Sequence, residues 1–376
     1  MAMKDLPSNI RRFMKVQGIT SKKLAEECGI GQVAMSHILN GKSEPRSSTF
    51  VKICRALNQN PEVLLADTRE MKAIHFRTYK NMTAKEKAAR TILICEVDTW
   101  LKDYKELEEY FGQEYDGKLP SFKYNSPEEA AVQIRKHFKM GSSCPIFSIF
   151  PHIEKLGVKI KLLPFHLNRI FGFSIEEDYG GPALIINTDD TISIERQIFT
   201  AAHELGHLIL HTYEENLSDK KMEEKEKEAD RFAAELMMPN DAFLHEWKRL
   251  EGFDWRQRVL EIKKIFRVSY KTVLKRIYDH LGSEASFNIF KEFASWYRTE
   301  YGHDLKDHYE PNALCADDEP EGFGKAISRS EYSRFQRLVK KALEESYITS
   351  SRAAGMLGVS LQDLDNLINA WDLPLE

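Results

Sequence analysis

Two histidines and a glutamate lie close together in the run AAHELGHLILH, residues 201–211. His203 and His207 are four residues apart, so on a helix their imidazole rings lie one turn apart on the same side. Two imidazoles in this arrangement can bind one tetrahedral metal ion, and Glu204 can reach a water molecule on that ion without being a ligand. The same spacing also arises by chance in amphipathic helices, so the surrounding sequence has to distinguish a metal site from a structural helix.

The helix that carries these residues is predicted over 194–211. Ser193 is a suitable N-cap, and Glu195 lies in the first turn, where a carboxylate interacts favourably with the helix dipole. One face is apolar at helical spacing and the other is polar. The apolar face holds Ile194, Ile198, Ala202, Leu205 and Ile209, and the polar face holds Thr200, His203, Glu204, His207 and His211. This pattern predicts a helix that is buried on most sides and forms the floor of a cleft.

A third metal ligand is expected in the segment EKEADRFA, residues 226–233. Glu226 and Asp230 are one turn apart and share a helix face. Glu226 is the preferred third ligand, and Glu228, on another face of the same helix, is the alternative. Eighteen residues separate His207 from Glu226, which leaves room for a loop and a return to an antiparallel helix.

Composition narrows the class of protein. The 376 residues, 42% of them hydrophobic, are enough for more than one domain. Net charge is −4, yet the first 60 residues hold ten Lys and Arg against four Asp and Glu, which indicates a surface for an anionic partner. Five scattered cysteines argue against a disulfide framework and a cysteine zinc site. With no signal-peptide pattern and no apolar run of about 20 residues, we expect a cytoplasmic protein with no membrane partner.

Residues 20–65 carry the pattern of a helix-turn-helix. Ala25 is small enough for close helix approach, Gly29 suits the tight turn after the first helix, and Met35 would hold the second helix against the core. This pattern resembles the XRE/Cro-repressor class of DNA-binding domains over nearly all of 6–66.

The resemblance implies that the segment GQVAMSHI, residues 31–38, lies in the major groove of DNA. The outward residues that would meet base edges are Gln32, Val33, Ser36 and His37, and those that would contact phosphates are Lys22, Lys42 and Arg46. Since this recognition face has no arginine, we expect modest sequence readout unless a homodimer adds a second set of contacts. A protein-interaction module of the same fold is the alternative.

The run ERQIFTAAHELGHLILH followed by EKEADRFAAELMMP resembles the ImmA/IrrE family of metallo-endopeptidases. The upstream segments PIFSIFPHIEKLGVKIKLLPF and GPALIINTDDTISIERQ fit the same family, and the resemblance covers about residues 126–280. It implies one Zn²⁺ ion, with Mn²⁺ as the alternative, and Glu204 as the general base. The implied metal ligands are His203, His207 and Glu226, with Asp230 supporting a ligating histidine.

The family implies an intracellular protease that cleaves a repressor- or antitoxin-like partner and so switches genes on. We therefore expect a DNA-binding transcriptional regulator with a zinc-dependent endopeptidase domain, in which Glu204 takes a proton from water and passes it to the leaving amine. The alternative is a ligand- or metal-sensing transcription factor whose peptidase-like domain cuts no peptide bond. In a third hypothesis the N-terminal module is a docking site or pseudo-substrate for the peptidase.

Two features of the cleft stay open at this point. The strand ALIINT, residues 183–188, is expected either as an edge strand to which an extended peptide substrate adds or as an ordinary buried strand. The side chain that would stabilise the oxyanion is not identified. The candidates are Tyr179, Tyr213, His211 and His245.

The predicted fold class is mainly α, because short strands followed by helices indicate an α+β, zincin-like peptidase domain between an all-α N-terminal domain and a helical C-terminal region. The predicted divisions are a helix-turn-helix domain at 1–67, a helical linker at 68–125, a peptidase domain at 126–285 and the C-terminal region at 286–376. Within 260–282 a basic cluster indicates a solvated helix face; its members are Lys263, Lys264, Lys271, Lys275 and Arg276.

Overall fold

The computed structural model divides the chain into two compact units. The first contains the described parts of Met1–Tyr115, Phe165–Ile170 and Arg334–Glu376, and the second those of Asp116–Pro164 and Phe171–Ser333. The residues described are 6–59, 61–65, 83–112, 119–121, 123–141, 144–167, 170–176, 181–211, 218–281, 288–305, 309–314 and 333–371.

Helices dominate both units, and one small sheet lies in the second unit. In chain order the elements are α1 Leu6–Gln17, α2 Ser21–Cys28, α3 Gln32–Leu39, α4 Ser47–Ala56, α5 Pro61–Leu65, α6 Ala84–Phe111, α7 Pro127–His137, α8 Phe150–Lys155, β1 Lys159–Leu163, β2 Gly172–Ile175, β3 Ala183–Asn187, α9 Ile194–Leu210, α10 Asp219–Met237, α11 Asn240–Arg249, α12 Trp255–Phe266, α13 Tyr270–Leu281, α14 Ile289–Tyr301, α15 Arg334–Glu344, α16 Ser350–Leu357 and α17 Leu361–Trp371. The predicted fold class, mainly α with a small α+β region, is confirmed. Among the described helices, none has the length and apolar content that crossing a membrane requires.

Helices α1 to α5 form the predicted helix-turn-helix fold. Leu24, Met35 and Ile53 are fully buried in their common core. Gly29 ends α2 with φ of 65°, a left-handed conformation that glycine adopts without strain, and its backbone N–H caps the carbonyls of Ala25 and Glu26. The short turn that follows directs the chain into α3.

Helix α6 and the last three helices belong to the same unit as the helix-turn-helix. Phe335 of α15 packs against the rings of Trp100 and Tyr104 of α6, with centroids 6.0 and 5.2 Å apart. Arg352 of α16 donates to Asp103 and Glu106 of α6 at 2.6 and 2.9 Å. The domain divisions at residues 67, 125 and 285 stay a prediction.

The sheet of the second unit has the strand order β1-β3-β2. Strand β3 pairs in parallel with β1 and antiparallel with β2, so it is the central strand. The hypothesis that residues 183–188 form an edge strand is therefore wrong, because both backbone edges of β3 are already paired. Its five residues are all buried, as expected of a strand covered on both faces.

Helices α9 and α10 pack closely together beside this sheet. Ala201, Ala202 and Leu205 of α9 are completely buried in the core of the second unit. A Cβ atom at Gly206 would lie 3.0 Å from the Phe232 ring and 3.3 Å from Cα of Ala229, both on α10. Glycine therefore allows the close approach that brings α10 side chains to the polar face of α9.

A buried ion cluster connects the start of α9 to α12. The Lys263 ammonium donates to Glu195 at 2.8 Å and to the carbonyl of Asn312 at 3.0 Å, and it lies 3.4 Å from Glu310. Burial raises the pKa of Glu310 to about 7. The prediction that Lys263 belongs to a solvated face is wrong, because its side chain is fully buried against Glu195, which lies 68 residues earlier in the sequence.

Candidate metal centre and DNA-binding surface

The boundaries of α9 follow from its capping residues. The Ser193 hydroxyl accepts the N–H of Arg196 at 3.3 Å, which confirms the predicted N-cap. The helix ends at Leu210, and His211 is an extended C-cap residue with φ of −121° and ψ of 126°. His203 and His207 therefore lie on the last two turns, where they share one face.

The side chains of His203, His207 and Glu226 converge on one point. The two Nε2 atoms are 3.1 Å apart, and the Glu226 carboxylate lies 3.2 Å from Nε2 of His203 and 3.5 Å from Nε2 of His207. The three side chains are 11%, 20% and 26% exposed, so the point can be reached from solvent. The structure thus brings Glu226, rather than Glu228, to the two histidines.

Hydrogen bonds behind the histidines determine which ring nitrogen faces this point. Asp230 lies 2.8 Å from Nδ1 of His203. Nδ1 of His207 lies 3.0 Å from Nδ1 of His211, whose Nε2 lies 3.0 Å from Glu228. A carboxylate only accepts, so with neutral imidazoles His211 donates through Nε2 and accepts from His207 through Nδ1. Both metal-facing Nε2 atoms then present lone pairs.

This arrangement fits a divalent metal ion. Two imidazole lone pairs and a carboxylate within 3.1–3.5 Å of one another are all acceptors, so a cation between them would relieve their repulsion. Metal–ligand distances of about 2.0–2.1 Å in a tetrahedral site place ligand atoms about 3.3 Å apart. The observed separations match that value, and a donor set of two histidines and one carboxylate suits a first-row transition metal with an open coordination position.

Glu204 and Ser174 are a further polar pair at this end of α9. Glu204 is buried, and its carboxylate accepts a hydrogen bond from the Ser174 hydroxyl at 3.1 Å. Ser174 lies on β2, a terminal strand of the sheet. Sequence reasoning did not single out Ser174. The available signal was a polar residue in the otherwise apolar strand segment GFSI, residues 172–175.

The structure describes two of the four residues that were candidates for stabilising the oxyanion. His211 contacts His207 and Glu228, and burial lowers its pKa although the Glu228 carboxylate acts in the opposite direction. The His245 side chain is 72% exposed and lies 3.2 Å from the carboxylate of its neighbour Glu246. Tyr179 and Tyr213 lie outside the described residues.

The predicted DNA-contacting residues all lie on the surface of the helix-turn-helix. Met35 and Ile38 of α3 are buried, while Val33 is 69% exposed, as a contact residue would be. The other predicted contacts, Lys22, Gln32, Ser36, His37, Lys42 and Arg46, are exposed as well. Their contacts with DNA stay a prediction.

Comparison with known protein families finds a match for each of the two domains. Residues 153–278 match the family model described as IrrE N-terminal-like domain, a peptidase family, and residues 10–64 match the model described as Helix-turn-helix. The chain joins a helix-turn-helix domain to an IrrE N-terminal-like domain. The matched part of the IrrE N-terminal-like domain runs from α8 to α13 and includes every residue of the candidate metal centre. A search of curated proteins finds no match to the chain.

Proposed function

We propose that this chain is a DNA-binding transcriptional regulator whose IrrE N-terminal-like domain is a zinc endopeptidase that cuts a partner protein. The observation that carries the proposal is the convergence of His203, His207 and Glu226 beside Glu204. Three protein ligands and an adjacent carboxylate are the parts that metal-assisted peptide hydrolysis needs. The match to a peptidase family supports the same reaction.

Each residue of the centre has a separate role in the proposed reaction. His203, His207 and Glu226 hold one Zn²⁺ ion, for which Mn²⁺ is the alternative. When bound, the ion polarises the scissile carbonyl and makes a water molecule more acidic. Glu204 accepts the proton of the attacking water and delivers it to the nitrogen of the leaving amine. The Ser174 hydroxyl, which donates to Glu204 at 3.1 Å, orients that carboxylate.

Strand β2 is the part of the sheet to which we assign the substrate. It is a terminal strand, and its Ser174 touches Glu204. An extended substrate segment can add to the outer edge of such a strand by backbone hydrogen bonds. A peptide bond would thereby lie next to Glu204. The substrate class that the family resemblance implies is a repressor- or antitoxin-like protein.

The test of this function compares two substitutions with the same change of charge. Glu204→Gln removes the proposed base, and Glu224→Gln changes an exposed carboxylate on α10. Each full-length protein is co-expressed with the products of neighbouring genes, and metal content is measured by mass spectrometry. Both variants should hold one zinc ion, while Glu204→Gln should cleave the partner at least about 10²-fold more slowly than wild type.

Two results would contradict the proposal. One is cleavage by Glu204→Gln at the wild-type rate. The other is a DNA affinity that responds to zinc in the absence of any peptide-bond cleavage, which is the outcome expected of a metal-sensing transcription factor.

For the helix-turn-helix we propose DNA contacts through the exposed face of α3 and the cations that flank it. Gln32→Ala should reduce discrimination between specific and non-specific DNA by about 1–3 kcal/mol. Lys42→Ala should weaken all DNA equally and reduce the slope of log affinity against log salt by about 1. Lys105→Ala, which removes an exposed cation of α6, is the control. Equal effects of Lys42→Ala and Lys105→Ala in fluorescence anisotropy would exclude this surface.

A further inference from the structure

The two metal-facing histidines are supported in different ways. His203 contacts a carboxylate directly, with Asp230 at 2.8 Å from its Nδ1. His207 contacts the ring of another histidine, which in turn contacts Glu228. We propose that His211 and Glu228 act as a positioning relay that fixes the tautomer and the orientation of His207. This inference rests on the proposed metal centre, although its first test requires no metal.

The hydrogen bonds of the relay run in one direction only. Because the Glu228 carboxylate accepts at 3.0 Å, the proton of neutral His211 lies on Nε2, and its Nδ1 carries a lone pair. That lone pair is 3.0 Å from Nδ1 of His207, so His207 donates from Nδ1. The Nε2 lone pair of His207 then faces Glu226, as metal binding through that atom requires.

Local backbone structure holds the two rings together. The backbone N–H of His211 donates to the carbonyl of His207 at 3.1 Å, and the extended C-cap conformation that follows places the rings 5.1 Å apart. The Tyr124 hydroxyl donates to the carbonyl of Ile209 at 3.3 Å, which ties down the same end of α9. The His211 side chain is only 9% exposed, so water competes poorly for its nitrogen atoms.

Helix α10 supplies a carboxylate at each of three positions. Glu226 faces both metal-facing histidines, Glu228 faces His211, and Asp230 faces His203. Glu228 is therefore used behind the metal centre rather than as a ligand. Without the acceptor on His211, the proton of His207 could lie on either nitrogen, and the tautomer with a proton on Nε2 cannot bind metal through that atom. Substitution of an outer-shell partner of this kind typically weakens metal binding by about 10–100-fold.

The first test measures the tautomer of His207 in the metal-free full chain labelled with ¹⁵N-histidine. Long-range ¹H–¹⁵N spectra assign the twelve imidazoles, with His207→Gln identifying the signal of interest. The relay predicts that His207 carries its proton on Nδ1 in wild type and in His211→Asn, whose amide oxygen can accept the same hydrogen bond. His211→Phe, which keeps a ring and removes the acceptor, should lose this single tautomer. A wild-type His207 with its proton on Nε2 would overturn the proposal.

The second test measures zinc affinity by competition with a chelator. His211→Phe should bind zinc about 10–100-fold more weakly than wild type, and His211→Asn should lie within about threefold of wild type. Glu228→Ala should weaken zinc binding, whereas Glu224→Ala, which removes an exposed carboxylate about one turn earlier on the same helix, should not. Zinc binding by both His211→Phe and Glu228→Ala within twofold of wild type would overturn the relay.

The two tests separate this proposal from the metal site itself. If wild type binds no zinc, the proposed metal centre fails, and the tautomer measurement alone decides whether the relay exists. If His211→Phe does not fold, as judged by circular dichroism, the matched pair Glu228→Ala and Glu224→Ala decides. Equal zinc affinities in that pair would then count against the relay.

Discussion

Helix α9 carries a buried polar cluster at each end, and the two clusters are built differently. At the start of the helix, the Lys263 ammonium lies between the carboxylates of Glu195 and Glu310. At the other end, His203, His207 and Glu226 bring three acceptors to one point. The first cluster contains its own cation, whereas the second fits an added one. Burial of titratable groups alone therefore does not mark a functional site, and the balance of donors and acceptors is the more informative property.

The carboxylates of the ion cluster at the start of α9 also accept hydrogen bonds from backbone N–H groups of the chain. Glu195 also accepts the backbone N–H of Leu314 at 3.0 Å, and Glu310 accepts that of Tyr270 at 2.8 Å. Such a cluster connects distant segments, and removing one member leaves uncompensated charge in the interior. We therefore assign it to the stability of the second unit and assign the histidine cluster to chemistry.

Substitutions in the two clusters should differ most in their effect on zinc affinity. His207→Gln should lower zinc affinity by at least about 10³-fold, because one of three protein ligands is lost. The melting temperature of the metal-free chain should change little, since glutamine replaces one of three clustered acceptors with an amide that can also donate. Chelator competition and calorimetry measure the two quantities. Wild-type zinc affinity in this variant would remove His207 from the metal centre.

The opposite pattern is expected for Lys263→Met. This change leaves Glu195 and Glu310 without their ammonium, so the free energy of unfolding should fall by about 3–5 kcal/mol. Zinc affinity of the folded protein should remain unchanged. Adding Glu195→Gln and Glu310→Gln should recover more than half of the loss, because the amide oxygens can still accept the backbone N–H groups. Urea denaturation measures these values, and a loss below about 1 kcal/mol in the single variant would contradict the assignment.

A dependence on pH is expected from the ion cluster. The pKa of Glu310 is raised from 4.5 to about 7 by burial, so the folded state binds more protons than the unfolded state between these values. The free energy of unfolding should therefore decrease as pH rises from about 4.5 to about 7 and level off above it. The contribution is at most roughly 3 kcal/mol at 1.36 kcal/mol per pH unit.

Glu310→Gln is the variant that isolates this contribution. Urea denaturation at pH 5, 6, 7 and 8 gives the difference between wild type and variant at each pH, which cancels the titration of other groups. That difference should become less favourable to wild type as pH rises. A difference that stays constant across the range would show that Glu310 titrates normally.

The smallest expected effect is stabilisation by zinc. Free zinc at 100 times its dissociation constant should raise the free energy of unfolding by about 2.7 kcal/mol, if the unfolded chain does not bind it. His207→Gln should lose this stabilisation, and Lys263→Met should retain it. Calorimetry with zinc and then with a chelator measures it. Equal stabilisation of both variants would indicate that zinc binds elsewhere.

Local sequence patterns predicted those parts of the site that depend on helix geometry. The four-residue spacing of His203 and His207 places both on one face of α9, and the one-turn spacing of Glu226 and Asp230 places both toward α9. The role of Glu228 was not predictable in this way. Its partner His211 lies beyond the last helical residue, where the chain is extended and helical periodicity no longer describes the side-chain direction.

Features that depend on distant segments were also beyond sequence reasoning. The order of the strands places β3 in the centre, and only pairing with both β1 and β2 determines this. The apolar run ALII, residues 183–186, is compatible with a buried strand, but it left an edge strand equally open. Lys263 resembled its exposed neighbours because no local pattern distinguishes a lysine whose carboxylate partners come from other elements of the fold.

The most direct test of the account is a crystal structure of the zinc-loaded chain with anomalous diffraction measured at the zinc absorption edge. One anomalous peak should lie about 2.0–2.1 Å from Nε2 of His203, Nε2 of His207 and a carboxylate oxygen of Glu226. A structure in which Glu228 is the third ligand, or in which no peak lies between these side chains, would contradict it.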